Sequence, residues 1–161
     1  MLINQKKSTI LLHGIFTKPF YDFIKKRHAY EIFVMEGRPS LQATQETCKN
    51  LLKKKAVPIL ITDNMAGFLF YKNLIKEVWL SYQIADKQGA ICDIGSLILG
   101  ILGKKHGVAV NLYPSQKKTR LLGGDGDLKK IRNIPVVSYE VNGFVPLMEW
   151  LPAKYITRVY K

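Results

Sequence analysis

Short, unbroken apolar runs with helical patterns between them constrain this chain more than any other feature. The runs are residues 8–14 (STILLHG), 30–35 (YEIFVM), 57–62 (VPILIT), 77–82 (EVWLSY), 107–113 (GVAVNLY) and 134–139 (IPVVSY). A strand that shows one face to water alternates apolar and polar residues, whereas a strand covered on both faces does not. Continuous runs separated by helix-length stretches therefore predict an α/β chain. The expected form is a three-layer α/β/α domain whose mostly parallel sheet has about six or seven strands.

The intervening segments fit that reading. From Thr17, a candidate N-cap, Phe20, Phe23, Ile24 and Arg27 follow at helical spacing, and Pro19 is tolerated in the first turn. Residues 40–54 place Leu41, Thr44, Cys48, Leu51 and Leu52 on one face, and lysines close that helix. After Thr62, Asp63 or Asn64 is placed to cap a helix with Met65, Phe68, Leu69 and Lys72 on one side. Asp93 is placed to cap a buried apolar helix that stops at Gly107. Residues 115–133 break the pattern, because Gly123, Gly124, Asp125, Gly126 and Asp127 in succession hold neither a strand nor a helix interior. A mobile surface loop is expected there. A phosphate cradle is disfavoured, since aspartates oppose an anion and the spacing fits no P-loop.

At 161 residues the chain suits one domain with a substantial core, so residues 1–161 are read as a single unit. Its 47% hydrophobic and 23% charged residues are those of a globular protein. The longest apolar candidate, residues 94–103, falls short of the roughly 18 residues of a membrane span. The opening MLINQKKST lacks a signal peptide's apolar stretch, so a cytoplasmic protein with no membrane partner is expected. Cys48 and Cys92 have neither zinc spacing nor a disulfide framework and read as small buried hydrophobes. No metal and no cofactor is expected.

Twenty-five Lys and Arg against 12 Asp and Glu leave a net charge of +13, which favours anionic partners. The basic residues are nevertheless dispersed in short groups: Lys6 and Lys7, Lys25 to Arg27, Lys53 to Lys55, Lys104 and Lys105, Lys117 to Arg120, and Lys129 to Arg132. Several stand where a helix would end and suit its dipole. A solvated lysine-rich surface is the simpler reading; nucleic acid stays a weakly supported alternative, because no recognition motif accompanies the charge.

With parallel strands, the carboxyl ends would line one rim, where ligands of open α/β sheets bind. That rim holds His13 and Gly14, then Glu36, Gly37 and Arg38, then Asp63 and Asn64, then Ser81, Tyr82 and Gln83. Arg38 is the chemically pointed member, since its planar donor fork matches a phosphate or carboxylate bidentately. Gly37 would let the backbone approach a ligand, Pro39 would fix the first turn of the next helix, and free amides there would add an anion site. Gln42, one turn on, would face the same cleft. The same residues admit a purely structural reading, in which Glu36 and Arg38 pair with neighbouring segments and Asp63 caps a helix.

ILLHG, then FVMEGRPSLQA, then VPILITDNMAG, then GAICDIGSLILGILGKKHGVAV, in that order, resemble the C-terminal domain of the initiation factor 2B alpha/beta/delta family. That family also contains methylthioribose-1-phosphate and ribose-1,5-bisphosphate isomerases. The ending LPAKYITRVYK is similar to the family's closing segment, in which a proline precedes an apolar strand. The resemblance implies a Rossmann-like domain that commonly pairs with another copy. It also implies that the helical domain preceding the first strand in family members is absent here, which would leave a more open pocket.

The departures bear on chemistry. Where the isomerases carry a catalytic cysteine directly after the histidine, the matching position is Gly14; where they carry a catalytic aspartate after the fourth strand, it is Gln83. Their Asn-Lys pair is replaced by Cys92 and Asp93, with one residue deleted. Arg38 and Gln42 match ligand-contacting positions and are retained. Moving a carbonyl along a sugar phosphate needs a proton acceptor and donor, and neither Gly14 nor Gln83 supplies one.

The leading expectation is therefore a domain that binds a phosphorylated sugar or nucleotide, or a protein partner, as a homo-oligomer or with a related subunit, and is not an enzyme. The ligand-binding candidates are His13, Gly14, Glu36, Gly37, Arg38, Gln42, Asp63, Asn64 and Gln83, with no catalytic residue among them. The alternative is an aldose–ketose sugar phosphate isomerase in which Asp63, Asp86 or Asp93 supplies the base; the second alternative is a nucleic-acid-binding protein.

Overall fold

The elements run β1 (Ser8–His13), α1 (Lys18–Lys26), β2 (Tyr30–Met35), α2 (Gln42–Lys53), β3 (Ile59–Ile61), α3 (Met65–Tyr71), β4 (Glu77–Ala85), β5 (Gly89–Asp93), α4 (Ser96–His106), β6 (Ala109–Pro114), β7 (Lys130–Ile131), β8 (Ile134–Pro135), β9 (Met148–Pro152) and β10 (Arg158–Val159). This is a computed structural model, and it describes residues 8–26, 30–116, 118–124, 128–131 and 133–161. Of the residues singled out above, Lys6, Lys7, Arg27, Lys117, Arg132 and Asp125 to Asp127 lie outside that set.

Five of the six apolar runs become parallel strands in the order β3-β2-β1-β4-β6, and β10 extends the order beyond β6. The sheet totals eight strands. Its unbroken apolar runs are explained by burial on both faces. Ile10, Leu12, Ile32, Val34 and Trp79 pack with Phe16, Phe20, Tyr21 and Ile24 of the α1 side. The alternate residues Leu11, Phe33, Met35, Val78 and Leu80 pack with Leu69 and Phe70 of α3 and Leu99 of α4. A Rossmann-like three-layer α/β architecture results. Because helices change face between β3 and β4, the order reverses between β1 and β4, and a cleft opens beyond their carboxyl ends.

The run at 134–139 departs from expectation. Only Ile134–Pro135 pairs, with Lys130–Ile131, in a small two-stranded sheet of its own. Pro135 has no N–H to give a ladder, and Ile134 is 71% exposed, so the segment belongs to an excursion over the sheet's rim.

Two further strands have no apolar run to announce them. β4 continues past the parallel sheet and turns back through Asp86 into β5, which pairs antiparallel with β4 and β9. The Asp86 carboxylate holds that turn, accepting the Gln88 and Gly89 N–H at 2.7 and 3.1 Å. Gln83 is the extra residue at a register shift between Tyr82 and Ile84.

Helix phases also differ. α2 buries Thr47 and Leu51 and leaves Leu52 54% exposed; α3 buries Ala66, Leu69 and Phe70 and exposes Met65 and Phe68. In α4, Leu99, Gly100 and Gly103 face inward, whereas Ile98 and Ile101 are exposed. Gly107 closes α4 in the left-handed region, as expected (φ 66°). Asp93 does not cap α4: it ends β5, Gly95 occupies the cap position, and the Leu97 N–H donates instead to Glu149 of β9 at 2.8 Å. Cys92 is buried and Cys48 half-buried, and burial pushes both thiols up.

Candidate functional site

The cleft at the reversal between β1 and β4 is lined by His13 at the end of β1 and Ile15 beyond it, Gly37, Arg38, Pro39 and Ser40 after β2, Gln42 and Ala43 of α2, Asp93 at the end of β5 and Ile94 beyond it, and Thr119 and Leu147. Parallel strands deliver the first groups together, because each strand ends at the same rim.

The Glu-Gly-Arg-Pro turn is held from below by β3's extension. The Asp63 carboxylate accepts the N–H of Gly37 and of Arg38, each at 2.8 Å. Thus Asp63 does not cap α3, and the amides expected to receive a ligand anion are filled by the protein's own carboxylate. Gly37 sits at φ +69°, a backbone that favours glycine. Thr44 Oγ1 reaches back to the carbonyls of Met35 and Glu36, tying α2 to the turn. Pro39 precedes α2 by three positions rather than fixing its first turn, and Leu41, at φ 60°, enters the helix. The Arg38 guanidinium donates to two backbone carbonyls of the rim excursion, Leu128 at 2.8 Å and Lys130 at 3.2 Å.

Behind the turn lies an acid–hydroxyl–imidazole group. Ser81 Oγ donates to Asp93 Oδ2 at 2.9 Å and accepts the Ile15 N–H at 3.1 Å. His13 is buried, and its Nε2 donates to the Ile94 carbonyl at 2.8 Å. Burial pushes the Asp93 carboxyl above the ordinary aspartate range, with the His13 charge and the Ser81 hydroxyl pulling the other way. Gly14, at φ +112°, lies between these groups: a β-carbon there would stand 2.1 Å from Ser81 Oγ and 2.7 Å from Asp93 Oδ2. Its carbonyl accepts Thr47 Oγ1 at 2.7 Å.

The nine expected binding residues therefore divide. His13, Gly37, Arg38 and Gln42 line the cleft. Gly14 abuts it through Ser81 and Asp93. Glu36 and Asp63 brace the turn: the Glu36 N–H donates to the Ile61 carbonyl at 2.8 Å. Asn64 is exposed at the start of α3, accepting Thr62 Oγ1 at 2.7 Å, and Gln83 reaches Met148 Sδ at 3.5 Å; neither lines the cleft. Thr119 and Leu147 were not anticipated, and no local pattern marks them. Of the three candidate acids, Asp93 alone is in the cleft lining. Among the described residues, no three His, Cys, Asp or Glu gather where they could hold a metal ion, and no helix is long and apolar enough to cross a membrane.

Residues 2–119 match the model of the initiation factor 2 subunit family. The chain belongs to that family. Among curated relatives of this initiation factor 2 group, the methylthioribose-1-phosphate isomerase of Carboxydothermus hydrogenoformans is 29% identical over 141 residues, covering 80% of this chain and 41% of the relative. The isomerase of the same name from Leptospira interrogans is 37% identical over 82 residues, 50% of this chain and 22% of the relative. The crystal structure of translation initiation factor eIF-2B subunit delta from A. fulgidus superposes with a TM-score of 0.81 at 14% identity, covering 98% of this chain and 52% of that one. This likeness is one of fold. The chain thus spans about two fifths of the first curated relative's length (41%).

Proposed function

We propose that this domain binds a phosphorylated small molecule, a sugar phosphate or nucleotide, through Arg38 and Gln42, and does not isomerise it. The observation that carries this reading is at Gly14. The position has no side chain, and Ser81 and Asp93 fill the space a side chain would need. Gln83 is equally silent: it lacks a titratable proton, and its amide is turned to Met148. The resemblance implies that isomerases carry their catalytic cysteine and aspartate at the positions matching these two. Arg38 supplies charge and a planar donor fork at the mouth, Gln42 adds an amide, and the match to relatives named as acting on methylthioribose 1-phosphate favours a sugar phosphate over other anions. Pairing with a second copy or a related subunit belongs to the same reading, supported by Met65, Phe68 and Tyr71 exposed along α3.

A second reading, an isomerase with Asp93 as its base, is favoured by one observation: Asp93 lines the cleft with His13, and burial pushes its carboxyl above the ordinary aspartate range. A thermal-shift comparison of wild type and Arg38→Ala against ribose 5-phosphate, methylthioribose 1-phosphate and purine nucleotides tests the binding reading. Stabilisation of wild type alone is expected. No stabilisation by any of them, or equal stabilisation of the variant, overturns it.

A further inference from the structure

Two of the five N–H donors of the Arg38 guanidinium, one on each terminal nitrogen, are already in use. Arg38 Nη2 donates to the Leu128 carbonyl at 2.8 Å, and Nη1 donates to the Lys130 carbonyl at 3.2 Å. We infer that residues 128–131 form a strap docked on the Arg38 fork, and that an anionic ligand taking the fork releases the strap; this rests on the binding reading proposed above.

The geometry makes the two states compete. A phosphate or carboxylate binds a guanidinium bidentately through the same kind of paired N–H donors that the two carbonyls now occupy. A neutral carbonyl is the weaker partner, since it offers the guanidinium only a partial negative charge where a phosphate or carboxylate brings a full one. An anion taking the Nη1–Nη2 edge of the fork therefore displaces the strap from Arg38 rather than adding to it.

The excursion is anchored at its base and exposed at the described part of its tip. Near the base, Leu147 N–H donates to the Leu121 carbonyl at 2.9 Å, Gly123 N–H to the Val145 carbonyl at 2.8 Å, and Ile94 N–H to the Leu147 carbonyl at 2.9 Å. At the tip, β7 and β8 are two residues each, and Lys130, Ile131, Ile134 and Pro135 are all exposed. Arg38 thus joins the tip to the domain body across 90 or more residues of chain. The sign of the coupling is opposite to that of an ordinary lid: ligand loosens the segment instead of ordering it.

Hydrogen exchange on the full chain tests this, following residues 128–136, where the Val136 N–H donates to the Lys129 carbonyl at 2.8 Å. Arg38→Ala and the milder Arg38→Lys, which keeps the charge but loses the fork, should each speed exchange there by about tenfold, while amides of β1 and β4 stay protected. Ribose 5-phosphate should do the same to wild type and add nothing to either variant. Unchanged exchange in both variants overturns the strap. Arg38-dependent binding of ribose 5-phosphate with strap protection unchanged or increased overturns the coupling and leaves the binding reading standing. A strap loosened by Arg38→Lys, with no binding of ribose 5-phosphate, methylthioribose 1-phosphate or nucleotides, overturns the binding reading and, with it, release by ligand.

Discussion

Gly14 and Ser81 meet so closely that a β-carbon on the first would lie 2.1 Å from the hydroxyl oxygen of the second. The contact links the end of β1 to β4 across the strand-order reversal, and at φ +112° the backbone at 14 also disfavours any side chain. Space and conformation act in the same direction.

Gly14→Ala and Gly14→Cys should therefore destabilise the fold by about 3 kcal/mol, lowering Tm by roughly 6–12 °C. Adding Ser81→Gly removes the closest overlap but leaves the one with Asp93 and the backbone strain, so it should recover part of the loss. Thermal unfolding of the two single variants and the double variant reads this coupling directly. Additive effects would show that Ser81 does not occupy the missing side chain's space.

Asp93 gives the fold a pH dependence of definite sign. Its carboxyl holds a proton more tightly in the folded chain than in the unfolded one, because burial disfavours the charge. The folded state then binds more protons between the two pKa values, and stability falls as pH rises from the ordinary aspartate value upward. Asp93→Asn, which stays neutral, should lack this fall. The Tm of the variant relative to wild type should rise as pH climbs above the ordinary aspartate value of about 4; a constant difference would contradict the account.

Asp63 is an internal anion for the Glu-Gly-Arg-Pro turn. Asp63→Ala leaves the Gly37 and Arg38 N–H groups without their acceptor and should cost about 3 kcal/mol, or roughly 6–12 °C in Tm. The vacated amides beside Arg38 then form an anion site. Millimolar phosphate should restore part of the lost Tm in Asp63→Ala and do little for wild type. Equal effects on both would show that the amides are not exposed by the change.

The sheet was legible in the chain because its strands are buried on both faces, so Leu11, Phe33 and Val78 interrupt any alternation. The rim was legible for the same reason: parallel strands carry His13, Gly37 and Arg38 to one end. Helix phase was less so. α3 has seven residues, too few for periodicity to choose between Phe68 and Phe70, and the packing against β3 and α4 decided for Phe70. Strands β5 and β9 escaped notice because they are short and antiparallel, and carry Asp93 and Glu149 among apolar neighbours. What braces the site was not readable locally. Asp63 reaches Gly37 across 26 residues and Arg38 reaches Leu128 across 90, separations that leave no trace in any window of sequence.

The central claim is a cleft that retains anion recognition without isomerase chemistry. Its most direct test is to incubate the protein with methylthioribose 1-phosphate and follow substrate and product by NMR, in wild type, Arg38→Ala and Asp93→Asn. The account predicts ligand line-broadening with wild type, its loss with Arg38→Ala, and no ketose product from any of the three. Product formed by wild type and abolished by Asp93→Asn would contradict it and establish Asp93 as the base of an isomerase.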